Sequence, residues 1–352
     1  MPNSKPPPVI AVILPFHNAD KWLEECLRSI FLQECSVGVS VSGFDDASDD
    51  ESVAVFQRLS NEAPSSISMV LGRNRSGGPL GVGASRNAAV RQCQGDYLCF
   101  QDADDVMLPG RLEKQWRVAT SNHGLLVGAQ VTRIPTDATP RYTKWCNQLS
   151  PKQLYSQIFT SNGPTLLMPT WFCHRDVFDR VGGFHESPPQ AGFPEDLAFF
   201  YEHLQHGGQL HRVDEELVCY RHHNSAMTMS VKAETIRKLS LAAMIDRVLK
   251  NWETFIIWNA GKGGRRFYRS LPDVIREKVI AFCDVDRKKI DKGYYTFEES
   301  PNVPKPRVPV IHFRDASPPF VICVKLDLTH GAFEQNLNSL DLKEGEDYHF
   351  FS

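Results

Sequence analysis

The sequence predicts an α/β protein: an open, mixed but mostly parallel sheet with helices on both faces, followed by a smaller α/β unit. Three observations predict it. Apolar runs alternate with stretches of helical periodicity through the first hundred residues. The ends of those runs carry polar and Gly-rich segments. The strand–loop–helix pattern then restarts at Phe255.

Val9–Leu14 is an uninterrupted apolar run, as expected of a strand buried on both faces, and Pro15 is expected to end it. From Asp20 to Gln33, Trp22, Leu23, Cys26, Leu27, Ile30 and Phe31 recur at helical spacing, with Asp20 as N-cap. Val37–Val41 is the second strand. The acidic loop Asp45–Asp50 and a helix from Glu51 to Leu59 follow it. Ile67–Leu71 is the third strand, the Gly-rich stretch 77–83 a loop, and Ala84–Cys93 a helix. Tyr97–Phe100 is the fourth strand. In such sheets ligands sit beyond the carboxyl ends of the strands. Those ends carry Pro15-Phe16-His17-Asn18, Asp45-Asp46, the Gly-rich loop and Asp102-Ala103-Asp104. Further on, Leu125–Val131 and Leu217–Tyr220 read as strands and Val231–Asn251 as a helix.

The 352 residues suffice for two or three domains. Residues 1–8, polar and Pro-rich, read as a disordered N-terminus. Residues 9–230 form the first domain, 231–252 a linking helix and 253–352 the second domain. With 41% hydrophobic and 23% charged residues the composition is globular, and a net charge of −3 does not mark a nucleic-acid binder. The charge is uneven: residues 261–292 hold ten basic against five acidic side chains. The nine cysteines are scattered, several inside apolar runs, which reads as reduced thiols of a cytoplasmic protein rather than a disulfide framework. Val9–Leu14 is too short to span a bilayer, so no membrane anchor is expected.

Asp102 and Asp104 follow the fourth strand directly. Paired carboxylates at a strand end suit Mg2+ or Mn2+, which bind carboxylate and phosphate oxygens together. The alternative is an acidic turn capping a helix that starts near Pro109. Arg86 suits a diphosphate through bidentate, charge-assisted bonds, against a surface ion pair. Gly81 and Gly83 would let backbone approach a ligand. Asp45 and Asp46 suit the N–H or hydroxyl donors of a nucleoside, or an N-cap. Glu195 and Asp196 open a helix, where acids are favourable on dipole grounds alone.

In order and spacing, 12–18 (VILPFHN), 45–49 (DDASD), 83–87 (GASRN), 102–105 (DADD), Glu195-Asp196 and 220–223 (YRHH) resemble the family 2 glycosyltransferases over residues 9–230. The resemblance implies the GT-A nucleotide-diphosphosugar fold and single-displacement, inverting transfer from a UDP-sugar. Under it Asp196 is the catalytic base. Pro15, His17, Asn18, Asp45, Asp46, Gly83, Arg86 and Asp102 surround the nucleotide. Asp102, Asp104 and His223 hold Mn2+ or Mg2+, with His222 competing for the last place. Trp171 and Phe172 fall near the acceptor side, where aromatic faces stack on sugars or bases, although core packing is the default for such residues. The added C-terminal unit is closer to members that move galactose from UDP-galactose to the queuosine nucleoside of a cytosolic tRNA. Arg265, Arg266, Arg269, Arg287, Lys288 and Lys289 would then meet tRNA phosphates.

The alternatives are UDP-N-acetylglucosamine transfer to a galactoside, and a non-catalytic sugar-nucleotide or RNA binder. A third arises from residues 259–264 (NAGKGG), a Rossmann-like glycine loop with Asn259 in place of the first glycine and Asp284 near the position of a ribose-binding acid. That degenerate match favours a structural or RNA-facing domain over a nicotinamide site.

Overall fold

The computed structural model describes residues 7–223, 230–326 and 328–352. Residues 1–6 of the expected disordered terminus lie outside them. The chain divides into two compact units. The first comprises residues up to Pro151 together with Gly163–Ile236, and the second Lys152–Asn162 with Arg237–Ser352.

The first unit begins with β1 (Val9–Phe16), α1 (Asp20–Phe31), β2 (Gly38–Asp45), α2 (Ser52–Glu62), β3 (Ile67–Arg73), α3 (Val82–Arg91) and β4 (Tyr97–Phe100). There follow β5 (Val106–Met107), α4 (Arg111–Ala119), β6 (Leu125–Ile134), α5 (Pro140–Gln148), the short α6 (Gln153–Ser156) of the second unit, β7 (Phe172–His174), α7 (Arg175–Val181), α8 (Glu195–Gln205) and β8 (Gln209–Arg221). Eight strands form one sheet in the order β3-β2-β1-β4-β7-β6-β8-β5. Pairing is parallel from β3 to β4 and between β6 and β8, and antiparallel at β4–β7, β7–β6 and β8–β5. The sheet is therefore mixed. One face of β1 packs Ile10, Val12 and Leu14 with Leu23, Leu27 and Ile30 of α1 and Phe56 and Leu59 of α2. Burying such side chains contributes about 1.5–3 kcal/mol each.

Three local expectations are corrected. Pro15 lies inside β1 and does not end it. It has the same parity as Ile13, whose carbonyl accepts Gln101 N–H on the β4 side, and β4 stops at Phe100. The missing N–H of Pro15 therefore faces a side without a ladder, where proline is tolerated. Asp20 is not the cap of α1 but its first residue. The α1 N-terminus is satisfied from the next loop, because Ser52 Oγ accepts Ala19 N–H and Asp50 accepts Asp20 N–H. Trp171 and Phe172 are wholly buried. Trp171 packs on Phe184, Phe199 and Phe200 and donates Nε1–H to Leu166 O, while Phe172 stacks on Tyr97. Both belong to the core, not to an acceptor surface.

The second unit holds most of α9 (Ala233–Met244) and a π-helical turn Ile245–Leu249. Then come β9 (Phe255–Trp258), α10 (Lys262–Ser270), α11 (Asp273–Arg276), β10 (Val279–Asp284), α12 (Arg287–Lys292), β11 (Tyr294–Thr296), β12 (Arg307–His312), β13 (Phe320–Ile322), α13 (Ala332–Asn338) and β14 (Tyr348–Phe350). Its sheet runs β11-β12-β10-β9-β13-β14, parallel except at β11–β12. The glycine loop after β9 is closed by its own residues. Asn259, at φ 111°, accepts Gly261 N–H through Oδ1 and donates Nδ2–H to Cys323 O. Asp284 accepts Ala260 N–H and pairs with Lys289 at 2.9 Å, so this acid is engaged within the loop.

Candidate active site

The site is built where β1, β2 and β4 end. After β1, His17 Nδ1 lies 2.8 Å from Asp46 O, Asn18 N–H donates to Ser48 Oγ, and Asn18 Oδ1 accepts Asp49 N–H. The two loops are thus laced together, and Asn18 takes φ 50° to do so.

Asp45 and Asp46 are buried and engaged by the protein's own donors. Asp45 accepts Ser48 N–H and pairs with Arg73 Nε at 3.1 Å. Asp46 accepts Leu80 N–H, Gly81 N–H and an Asn74 amide proton, at 2.8, 2.9 and 2.8 Å. Asp46 therefore pins the Gly-rich loop to the end of β2. The glycines of that loop differ from expectation in what they admit. A Cβ on Gly81 would fall 2.3 Å from Ser187 O, and one on Gly83 2.3 Å from His185 O. They make room for the protein's own 185–187 backbone.

The loop starts α3, and one turn later α3 presents Arg86. Its side chain is buried and bridges two carboxylates, Nη2 to Asp102 at 2.8 Å and Nη1 to Glu195 at 2.6 Å. Burial alone would depress this guanidinium; Asp102 and Glu195 more than offset that, and its pKa stands above the ordinary value. Through Arg86 the acid after β4 is tied to the first turn of α8. There Asp196, beside Glu195, is half-buried, and its Oδ1 accepts Leu197 N–H. Burial, and then the Glu195 charge, push the Asp196 carboxyl up to about 7 against the pull of Arg86. A carboxylate that titrates near neutrality suits proton transfer.

Two more acids gather beside Asp102: one oxygen from each of Asp102, Asp104 and Asp105 lies within 4.8 Å of the others. Asp104 Oδ2 is 2.7 Å from His223 Nε2. Burial and the Asp102 charge raise the Asp104 carboxyl, with His223 opposing. His222 is exposed and its N–H donates to Ile134 O, so His223 is the histidine that meets the acids. Asp105 is wholly buried; its Oδ1 accepts Arg221 N–H, and its buried Oδ2 has no hydrogen-bond partner among the described residues. Asp105 belongs with the cluster, although sequence reasoning gave it no role.

Two arginines shape the cluster and were also missed. Arg111, fully buried, donates to Gln101 Oε1, Phe100 O, Pro169 O and Gln115 Oε1, which fixes the end of β4 from which the acids hang. Arg221 donates Nε–H to Asp104 O, and its guanidinium lies 4.4 Å from the Trp22 ring centroid. The only signal in the sequence is the place of each in a quoted motif or just after one. A cleft of about 440 Å³ lined by Asn87, Arg91, Phe178, Asp179, Phe184 and Glu186 shares α3 with the network but includes none of its acids.

The structure thus brings Asp46, Arg86, Asp102, Asp104, Glu195, Asp196 and His223 into one connected edge of the first sheet. Three carboxylates, one of them with a buried oxygen that has no partner among the described residues, and a histidine fit a divalent cation of the Mg2+ or Mn2+ class.

Residues 11–182, a little under half of the chain, match the family model for Glycosyl transferase family 2. An uncharacterized glycosyltransferase of Methanocaldococcus jannaschii is 30% identical over 119 residues, 34% of this chain and 39% of that protein. The crystal structure of Staphylococcus aureus TarS 1–349 in complex with UDP-GlcNAc superposes with a TM-score of 0.52 at 18% identity, covering 68% of this chain and 67% of that one. The mannosyltransferase PcManGT from Pyrobaculum calidifontis, in complex with GDP-Man and Mn2+, gives a TM-score of 0.50 at 17% identity, covering 64% and 59%. At such identities the likeness establishes a shared fold, an α/β GT-A-type fold with a mixed sheet. The chain spans about two fifths of the length of the first curated relative. Among the described residues no helix is long and apolar enough to cross a membrane.

Proposed function

We propose that the chain is an inverting, metal-dependent glycosyltransferase that moves galactose from UDP-galactose to the queuosine nucleoside of a cytosolic tRNA. One observation carries the enzymatic part: Arg86 holds Asp102 and Glu195 at once, so the metal acids and the basic carboxylate share one edge. The family resemblance and the basic run within 261–292 support the donor and acceptor. In this reading the protein works in the cytoplasm. Residues 9–230 are the transferase domain, 231–252 link it, and 253–352 form a Rossmann-like domain whose strand order supports that description.

Asp102, Asp104 and His223 hold the cation in this reading, with Asp105 behind them. Such a cation supplies positive charge to the diphosphate as it leaves. The ends of β1 and β2 (Pro15, His17, Asn18, Asp45 and Asp46), with Gly83, frame the nucleotide. Arg86 keeps Asp102 and Glu195 in place and presents positive charge at the diphosphate. Asp196 accepts the proton of the attacking hydroxyl. As the acceptor oxygen bonds to the anomeric carbon, the bond from that carbon to the diphosphate oxygen breaks, and UDP leaves on the opposite face.

The test is UDP release from a panel of UDP-sugars in Mn2+, with and without bulk tRNA. Turnover of UDP-galactose stimulated by tRNA is the expected result. UDP release indifferent to tRNA would remove the RNA acceptor. Turnover of UDP-N-acetylglucosamine with a galactoside would replace both substrates, and donor binding without any turnover would leave a non-catalytic binder.

A further inference from the structure

We propose that His123, His174 and Asp176 form a second metal site, separate from the aspartate cluster, that takes a divalent ion of the borderline class typified by Zn2+. His123 sits in the turn between α4 and β6, His174 is the last residue of β7, and Asp176 lies in the first turn of α7. One ligand atom from each lies within 4.8 Å of the other two.

The donor set decides the class of ion. Two imidazole nitrogens and one carboxylate oxygen match zinc sites with three protein ligands and an open fourth position. Mg2+ and Ca2+ prefer oxygen alone. The cluster of Asp102, Asp104 and Asp105 offers three carboxylates beside the single imidazole of His223, a harder donor set, so the two sites favour different ions.

The three groups lie together, and because stacked imidazoles hold their in-plane lone pairs in parallel planes, the exposed His123 ring must turn for both rings to ligate one ion. The imidazoles of His123 and His174 stack at 3.8 Å between centroids with 10° between planes. The Tyr97 ring meets both edge-on, at 6.3 and 5.1 Å. Asp176 Oδ2 lies 3.2 Å from His174 Nδ1 and 3.9 Å from His123 Nδ1. The His123 turn is itself fixed. Asn122 Oδ1 accepts Gly124 N–H at 2.7 Å, and Asn122 Nδ2 donates to Gln209 Oε1 at 3.0 Å. His174 Nδ1 accepts Asp176 N–H and thereby uses its single lone pair, so an ion binds His174 through Nε2 or by displacing this hydrogen bond. An ion here would clamp the His123 turn to the junction of β7 and α7, beside the amino end of β4. Its effect is on stability rather than on transfer.

The experiment uses the full chain carrying Asp104→Ala, which weakens the aspartate cluster, with Co2+ as the spectroscopic probe and Zn2+ as competitor. The expected result is one equivalent of Co2+ with visible bands of nitrogen ligation, displaced by Zn2+, and a melting temperature raised by Zn2+. Adding His123→Ala, an exposed position, removes the bands and weakens Zn2+ binding by about 10- to 100-fold or more. Unchanged Zn2+ affinity and stoichiometry after His123→Ala would overturn the proposal, as would the absence of Co2+ bands in the Asp104→Ala chain.

Discussion

Replacing Arg86 by methionine removes the charge that holds two carboxylates together while roughly keeping the volume. The guanidinium has a side-chain exposure of 5%, Glu195 14% and Asp102 25%, so the bridge is largely shielded from water. Removing one partner of such a buried pair leaves uncompensated charge and costs about 3–5 kcal/mol. Part-exposed Asp102 recovers some hydration, which favours the lower end of that range. For a domain of this size, about 2–4 °C accompanies each kcal/mol, giving a fall of roughly 6–20 °C in the melting temperature. The same substitution acts on chemistry. Arg86 pulls the Asp196 pKa down against burial and Glu195, so its loss moves that titration above about 7. Thermal scanning and a pH–rate profile of wild type, Arg86→Met and Arg86→Lys read both effects. Lysine keeps a charge but reaches only one carboxylate, and is expected to fall between the other two. A melting temperature within about 3 °C of wild type, or an unmoved pH profile, would refute the bridge as the organiser of the site.

The remaining predictions follow from the same geometry. UDP-sugar turnover should rise with pH around about 7 as Asp196 loses its proton, the base being active only when ionised. At pH 6 roughly a tenth of the plateau rate is expected, and a flat profile from about pH 6 to 8 would count against Asp196. His223→Gln should raise the Mn2+ concentration needed for donor binding by about 10- to 100-fold, and Asp104→Ala by more; donor-binding titrations with unchanged Mn2+ dependence would remove both from the metal site. Gly83→Ala would push a methyl group to 2.3 Å from His185 O, a backbone atom that cannot swing away. A loss of about 1–3 kcal/mol in urea unfolding is expected, and an unchanged midpoint would show that the 185–187 segment yields freely.

What the sequence disclosed depended on whether the signal was local. The strand at Tyr97–Phe100 was placed residue for residue because burial on both faces leaves an unbroken apolar run. β8 was read only from Leu217, because the stretch Val213–Glu216 is polar and part-exposed, with no period for burial to impose. The acids at 102 and 104 were legible from their place at a strand end. Asp105 was not, because its meaning lies in a backbone N–H 116 residues away on Arg221. Arg86 was found, but its partners were not: Glu195 is 109 residues distant, and only folding brings it near. Trp171 and Phe172 show the reverse failure, since aromatic residues beside a site carry the same letters as aromatic residues in the core. Asp46 was legible as an acid at a strand end, but its hold on Leu80 and Gly81 was not, because a buried carboxylate also takes backbone donors that only folding brings near.

The most direct measurement compares transfer with donor binding in Asp196→Asn. The substitution keeps the shape of the side chain and removes its ability to take a proton. UDP-galactose binding in Mn2+ should match wild type, while the rate of sugar transfer falls by about 10²- to 10⁴-fold. Transfer at the wild-type rate by the Asp196→Asn chain would contradict the account.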